Sequence, residues 1–135
     1  MIFDTSVIIH IISREPGWLE SIAVLKRQKV RRISAASLVE VQAVLSRDQS
    51  VSPSEALKCL DDFVLEANLE VVPLSLKQCR LAREAYLSYG RGQGHTAKLS
   101  YGDVMSYALA KATGETLAFV GEDFQHTDLK VLSLP

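Results

Sequence analysis

Cysteine is scarce in this 135-residue chain: Cys59 and Cys79 are the only two. At that spacing they build neither a disulfide framework nor a zinc site, so both are expected to be reduced, buried thiols. Charge of one sign is also missing. Fifteen Lys+Arg stand against sixteen Asp+Glu, a net charge of −1. A domain that holds nucleic acid by bulk charge alone usually has a pI above about 9, and this chain has a pI near 6.3. Any contact with nucleic acid therefore needs a local basic patch or a metal ion. No apolar run approaches the roughly 18 residues of a membrane span. The start, Met1-Ile-Phe-Asp4, brings an acid early and lacks a basic leader segment, so no signal peptide is expected and the expected location is the cytoplasm.

What is present is ordinary for a folded domain. Hydrophobic residues make up 47% and charged residues 23%, which excludes wholesale disorder and a coiled-coil rod. One domain spanning 1–135 is expected, long enough to bury roughly two-thirds of the surface its unfolded chain exposes. No repeat or low-complexity linker divides it.

The apolar run ending at Asp4 reads as a short buried strand. Thr5-Ser6 then caps a helix over Val7–Ile12 that Pro16-Gly17 stops. Trp18, Ile22 and Leu25 mark one face of a second helix, and Ile33-Ser34 a second strand. A helix is expected to open at Ser37. Ser52-Pro-Ser-Glu55 carries a cap, a proline at the first helical position and a glutamate at the third, with Leu57, Leu60, Val64 and Ala67 as the stripe that follows. A strand over Leu69–Pro73, a helix over Leu76–Tyr89 and a polar loop from Gly90 to Leu99 come next. Ser100 opens a helix through Lys111 that Gly114 closes, and strands over Thr116–Val120 and Leu129–Leu132 end the chain. Strands alternating with helices predict an α/β fold, three layers deep, around a mostly parallel sheet. In such sheets ligands bind at the carboxyl ends of the strands.

Four acids fall at or near those ends: Asp4 after the first strand, Glu40 in the first turn of the helix after the second strand, Asp103 in the first turn of the helix before the fourth strand, and Asp123 just after that strand. Converged, they would repel one another unless a hard cation neutralised them, and an all-oxygen donor set specifies Mg²⁺ or Mn²⁺. Each acid also has a plainer reading. Ser37-x-x-Glu40 and Ser100-x-x-Asp103 both fit capping boxes, Asp4 fits a helix cap, and Asp123 fits a turn.

The strings Ile2-Phe-Asp-Thr-Ser6, Ser37-Leu-Val-Glu-Val41, Leu99-Ser-Tyr-Gly-Asp-Val104 and Gly121-Glu-Asp-Phe124 resemble the acidic motifs of PIN-domain ribonucleases, and more narrowly the VapC-type toxins of bacterial toxin–antitoxin pairs. Glu122 stands where many relatives carry another residue. The resemblance runs from Ile2 to Leu129. It implies a metal-dependent endoribonuclease acting on single-stranded or looped RNA, with Asp4, Glu40, Asp103 and Asp123 in metal-binding and catalytic roles. It also implies that Thr5 or Ser6 supports substrate or metal-held water, that the chain forms a homodimer, and that an antitoxin protein masks the cleft.

Softer signals remain. The glycine-rich stretch Gly90–Gly94 reads first as a flexible loop, and second as one from which Arg91, His95 and Lys98 reach RNA phosphates. The basic residues of Lys26–Arg32 read first as a solvated helix end and second as an RNA-guiding patch. His10 reads as a packed core residue, and His126 as a turn or substrate contact. The Val7–Ile12 run and the Leu57–Ala67 stripe serve either the core or a partner surface. Two rival functions stay open: a non-catalytic PIN-like binding module, and an aspartyl-phosphate phosphatase with Asp4 as nucleophile. The second would want an acid at position 6, where Ser6 stands.

Overall fold

A computed structural model describes residues 1–135. Five strands, β1 (Ile2–Phe3), β2 (Arg32–Ser34), β3 (Glu70–Val72), β4 (Leu117–Val120) and β5 (Val131–Leu134), form one sheet in the order β3-β2-β1-β4-β5. Every neighbouring pair is parallel. Six helices connect them: α1 (Thr5–Ile12), α2 (Trp18–Arg27), α3 (Ala35–Leu45), α4 (Pro53–Glu66), α5 (Leu76–Tyr89) and α6 (Tyr101–Thr113).

The alternation of side chains along a strand sorts the core into two halves. Ile2, Leu117 and Phe119 pack with Ala82 and Ala85 of α5 and Val104, Ala108 and Leu109 of α6. Phe3, Ile33, Ala118 and Leu134 face the other way, onto Val7, Ile8 and Ile11 of α1, Leu25 of α2, Val41 of α3 and Leu60 of α4. These are the three layers that the sequence predicts. The chain progresses outward from β1 to β2 and β3, then returns to lay β4 on the opposite side of β1. The strand order therefore reverses between β1 and β4, which opens a crevice at their carboxyl ends, the usual ligand site of an open parallel sheet.

Several boundaries move for identifiable reasons. Asp4, not Thr5 or Ser6, is the N-cap of α1: its side chain accepts the Ser6 N–H at 2.9 Å, and Thr5 is already helical. Helix α3 starts at Ala35 with Ser34 as cap, because two good helix formers, Ala35-Ala36, follow directly on the strand. Ser37 is thus no cap, and Glu40 sits in the second turn. The Ser52 capping box and the Leu76–Tyr89 helix match expectation. In α4 the buried residues are Ala56 and Leu60, with Leu57 exposed. Strand β5 lies two residues beyond its expected place because residues 121–130 cross between parallel strands without a helix. That crossing is held by Phe124, buried against Phe119 with ring centroids 5.2 Å apart. Asp128 anchors it too, accepting from the Tyr107 hydroxyl at 2.7 Å and the Lys111 ammonium at 2.5 Å.

The cysteines are free, but Cys59 is exposed and Cys79 half-buried, which corrects the expectation of buried thiols. His10 is buried between the Ser21 hydroxyl (2.9 Å) and the Pro16 carbonyl (2.8 Å), a structural role. In the basic run, Arg31 donates to the carbonyls of Lys26, Gln28 and Ala67, and Arg32 pairs with Glu70 and Glu115. Both guanidiniums are thereby committed to holding the fold. No helix is long and apolar enough to cross a membrane.

Candidate active site

At the crevice, Asp4, Glu40 and Asp103 line one open cavity of about 370 Å³ together with Thr5, Ser6, Ile9, Glu15, Val44 and Val120. Three elements deliver the acids. Asp4 leaves β1 and caps α1; Glu40 comes from α3; Asp103 comes from the first turn of α6. The amino ends of α1 and α6 face these carboxylates, and their dipoles offset part of the negative charge.

Asp4 is the most constrained of the acids, with only 4% of its surface exposed. Its Oδ2 accepts the backbone N–H and the hydroxyl of Ser6 (2.9 and 2.6 Å), and its Oδ1 accepts the Ser106 hydroxyl at 2.6 Å. Burial pushes its carboxyl above the usual range, the bonds from Ser106 and Ser6 pull it back, and the charge of Asp103 pushes it up further. Ser6 in turn accepts the Val120 N–H at 3.0 Å, tying the start of α1 to the end of β4 at the crevice. A carboxylate oxygen has two lone pairs, so Asp4 Oδ1 keeps one for a ligand.

Glu40 does not serve a capping box. Its Oε2 accepts the Thr5 hydroxyl at 2.8 Å, and its carboxylate rests on Gly102, in the space a side chain at that position would fill. Asp103 does form the capping box that the sequence allows: its Oδ2 accepts the Ser100 N–H at 2.7 Å while the Ser100 hydroxyl receives the Asp103 N–H at 3.2 Å. The cap takes one oxygen of Asp103 and leaves the other. Thr5 and Ser6 spend their hydroxyl protons on Glu40 and Asp4, so in this arrangement they orient the acids.

Asp123 stands at the margin, exposed and outside the cavity lining. Gly121 ends β4 at φ 108°, a conformation that favours glycine, and turns the chain so that Asp123 follows. Partial desolvation first, and then the charge of Asp103, raises the Asp123 carboxyl above its ordinary value, while Arg91 draws it down. Asp123 therefore feels both the acids and the basic loop. Glu122 and His126 are exposed in the same crossing.

Arg91, His95 and Lys98, with Gly92, Gly94 and Thr96, surround a second cavity of about 510 Å³ lined by no hydrophobic residue. Buried Ala97 and Leu99 anchor this loop, and a bridge between Gly90 and Leu99 closes it. His95 accepts the Ala97 N–H on Nδ1 at 3.0 Å and stacks edge-on against Tyr89, so its ring is pinned.

Sequence reasoning missed four contributors. Glu15 adds a fourth carboxylate to the cavity from the turn after α1. Gly102 makes room for Glu40. Ser37 and Ser106, both fully buried, join through their hydroxyls at 3.0 Å beneath the acids. Only Gly102 left a trace in the sequence, as a glycine at a helix start where no turn requires one.

Oxygen donors alone face the cavity, the set that hard divalent cations prefer. As they stand, no three His, Cys, Asp or Glu side chains converge closely enough to hold a metal ion. Glu40 is turned to Thr5 and Asp103 to the Ser100 amide, so a cation would have to draw them in. For a phosphatase, Asp4 lacks a neighbouring acid, and Ser6 is bonded to it.

Residues 1–130 match the PIN domain family. The VapC ribonuclease Mb2780c of Mycobacterium bovis is 42% identical over 131 residues, covering 96% of this chain and 97% of the relative. Ribonuclease VapC28 of Mycobacterium tuberculosis is 43% identical over 132 residues, with 96% of each covered. Among solved structures, VapBC2 from Rickettsia felis bound to a promoter DNA fragment superposes with a TM-score of 0.74 at 20% identity over the whole of both chains. VapC20 of M. tuberculosis, described as a sarcin-ricin loop cleaving toxin, superposes with a TM-score of 0.72 at 18% identity over 96% of each. A parallel sheet reversing at β1, with acids delivered there from β1, α3 and α6, agrees with that kinship, and this chain belongs to the PIN-domain family, among its VapC-type ribonucleases.

Proposed function

We propose that the chain is a divalent-metal-dependent endoribonuclease, the toxin of a VapBC-type pair, cutting single-stranded or looped RNA in the cytoplasm. The observation that carries this reading is the meeting of Asp4, Glu40 and Asp103 in one cavity at the switch point of the sheet. Mg²⁺, with Mn²⁺ able to substitute, fits the all-oxygen donors: Asp4 and Asp103 would be the primary ligands, with Glu40 and Asp123 completing the site. When bound, the cation supplies charge neutralisation among the acids and stabilises charge developing on the phosphodiester.

The chain's own residues do the rest. Ser6 and Thr5 fix the rotamers of Asp4 and Glu40. Asp123, just past the end of β4 and sensing the charges of Asp103 and Arg91, would accept a proton from attacking water. Arg91, His95 and Lys98 supply the local positive and donor groups that net charge withholds, holding RNA phosphates beside the acids. Single-stranded RNA suits a narrow cleft because its backbone bends into it without unpairing.

Partners follow from the surface. A groove of about 690 Å³ between α1, α2 and α4, lined by Ile11, Ile12, Trp18, Ile22, Leu25 and Phe63, offers an apolar bed for an antitoxin segment. Structural neighbours include toxin–antitoxin complexes from Klebsiella pneumoniae and Salmonella typhimurium. A homodimer is the expected state of the free chain.

The test is cleavage of a mixed single-stranded RNA pool by purified protein. Mg²⁺-dependent cutting, abolished by EDTA and by Asp103→Asn, is expected. A second reading, the non-catalytic module, draws on the complete capping box at Asp103 and the turned-away carboxylates. Absence of cutting by wild-type protein under all divalent cations would favour it.

A further inference from the structure

Ser37 and Ser106 are both fully buried, and each sits one turn from an acid on the same helix. Ser37 is three residues before Glu40 on α3, and Ser106 three residues after Asp103 on α6, so each serine shares a helix face with its acid. The Ser106 hydroxyl donates to Asp4 Oδ1 at 2.6 Å across 102 positions of sequence. Its single proton is spent there, so in the 3.0 Å contact between the two serines Ser37 donates and Ser106 accepts. The bonds therefore run in one direction, from α3 through α6 to the end of β1, and each polarises the next. They link the three elements that carry Asp4, Glu40 and Asp103.

No other side-chain contact fixes Asp4 from outside its own turn. Ser6 holds Oδ2 from the adjacent residue and moves with β1 and α1. Ser106 registers Asp4 against the helix that bears Asp103, and Ser37 ties that helix to the one that bears Glu40, alongside the Thr5 hydroxyl that reaches Glu40 from α1. An alanine would fill either site nearly as well for packing alone, so a buried hydroxyl pair at this junction needs a polar reason.

We propose that Ser106, backed by Ser37, is a positioning residue that sets the spacing of Asp4, Asp103 and Glu40 and thereby the affinity of the site for divalent cations. This rests on the metal-binding reading above. Partners one shell out from a ligand commonly govern metal affinity by about ten- to a hundredfold.

The experiment is calorimetric titration of Mn²⁺ into wild type, Ser106→Ala, Ser37→Ala and the double variant, with thermal denaturation of each metal-free protein alongside. Ser106→Ala is expected to weaken Mn²⁺ binding about tenfold or more, Ser37→Ala by less. Because Ser37 acts through Ser106, adding Ser37→Ala to Ser106→Ala should cost little further. Ser106→Cys, which keeps a weak donor, should recover part of the loss. If Ser106→Ala fails to fold, Ser37→Ala decides alone, since it leaves the Asp4 contact in place and must still weaken binding. Variants that melt earlier yet bind Mn²⁺ as wild type does would overturn the proposal and leave the metal reading standing. A wild-type protein that takes up no Mn²⁺ would overturn both.

Discussion

Gly102 offers a perturbation that separates fold from function. The Glu40 carboxylate rests where a Cβ at position 102 would go; an added methyl would fall inside 3.0 Å of both carboxylate oxygens, whereas ordinary contact begins near 3.4 Å. In Gly102→Ala the carboxylate must retreat by about 1 Å. What gives way is the far end of a flexible side chain, so the strain is small. Replacing glycine by alanine within a helix contributes roughly 0.5–1 kcal/mol of stability. The two effects nearly cancel, and the melting temperature of the metal-free variant should lie within a few degrees of wild type. The chemistry is less tolerant, because a displacement of about 1 Å in a reacting constellation can cost on the order of a hundredfold in rate. Cleavage of a labelled RNA pool under saturating Mg²⁺, followed with circular dichroism melts, should show a loss of about ten- to a hundredfold with the fold intact. Wild-type rates in Gly102→Ala would mean that Glu40 needs no room over Gly102, either where it rests or where a cation would draw it. A collapsed melting temperature would mean that the glycine serves folding.

Other substitutions probe neighbouring steps. Glu40→Gln keeps an oxygen to accept the Thr5 hydroxyl, so it should melt like wild type while losing cleavage; loss of stability with activity kept would assign Glu40 a structural role. Arg91→Ala should raise the KM for RNA with little change in Mn²⁺ affinity, and it should raise the apparent pKa of Asp123, since Arg91 now lowers it. Unchanged RNA affinity would remove the loop from the substrate path. Asp128→Asn tests the crossing that carries Asp123. Bonds from Lys111 and then Tyr107 hold the Asp128 carboxyl below its ordinary value of 3.8. Its contribution is therefore present above about that pH and fades as pH falls through the folded-state value. The group is largely exposed, so the wild-type advantage should be at most about 1 kcal/mol at neutral pH and shrink on acidification. A stability gap that widened in acid would contradict this.

The layers were legible in the sequence because strand and helix signals alternate and most caps are local. Ser52, Ser75 and Ser100 each cap the helix that begins next to them. The start of α3 was not, since Ser37-x-x-Glu40 imitates a capping box while the true cap, Ser34, belongs to the end of a strand. The acids were legible as types placed near strand ends. Their partners were not: the bonds from Ser106 to Asp4 and from Thr5 to Glu40 join residues 102 and 35 positions apart, which no local pattern encodes. The same limit hid Glu15, whose place in the cavity depends on the turn after α1.

Anomalous scattering from crystals grown with Mn²⁺ tests the central claim most directly. A manganese peak within coordination distance of both Asp4 and Asp103, with Glu40 drawn toward it and the peak lost in Asp103→Asn, is the predicted result. A crevice without manganese at millimolar concentration, its acids still turned to Thr5 and the Ser100 amide, would contradict it.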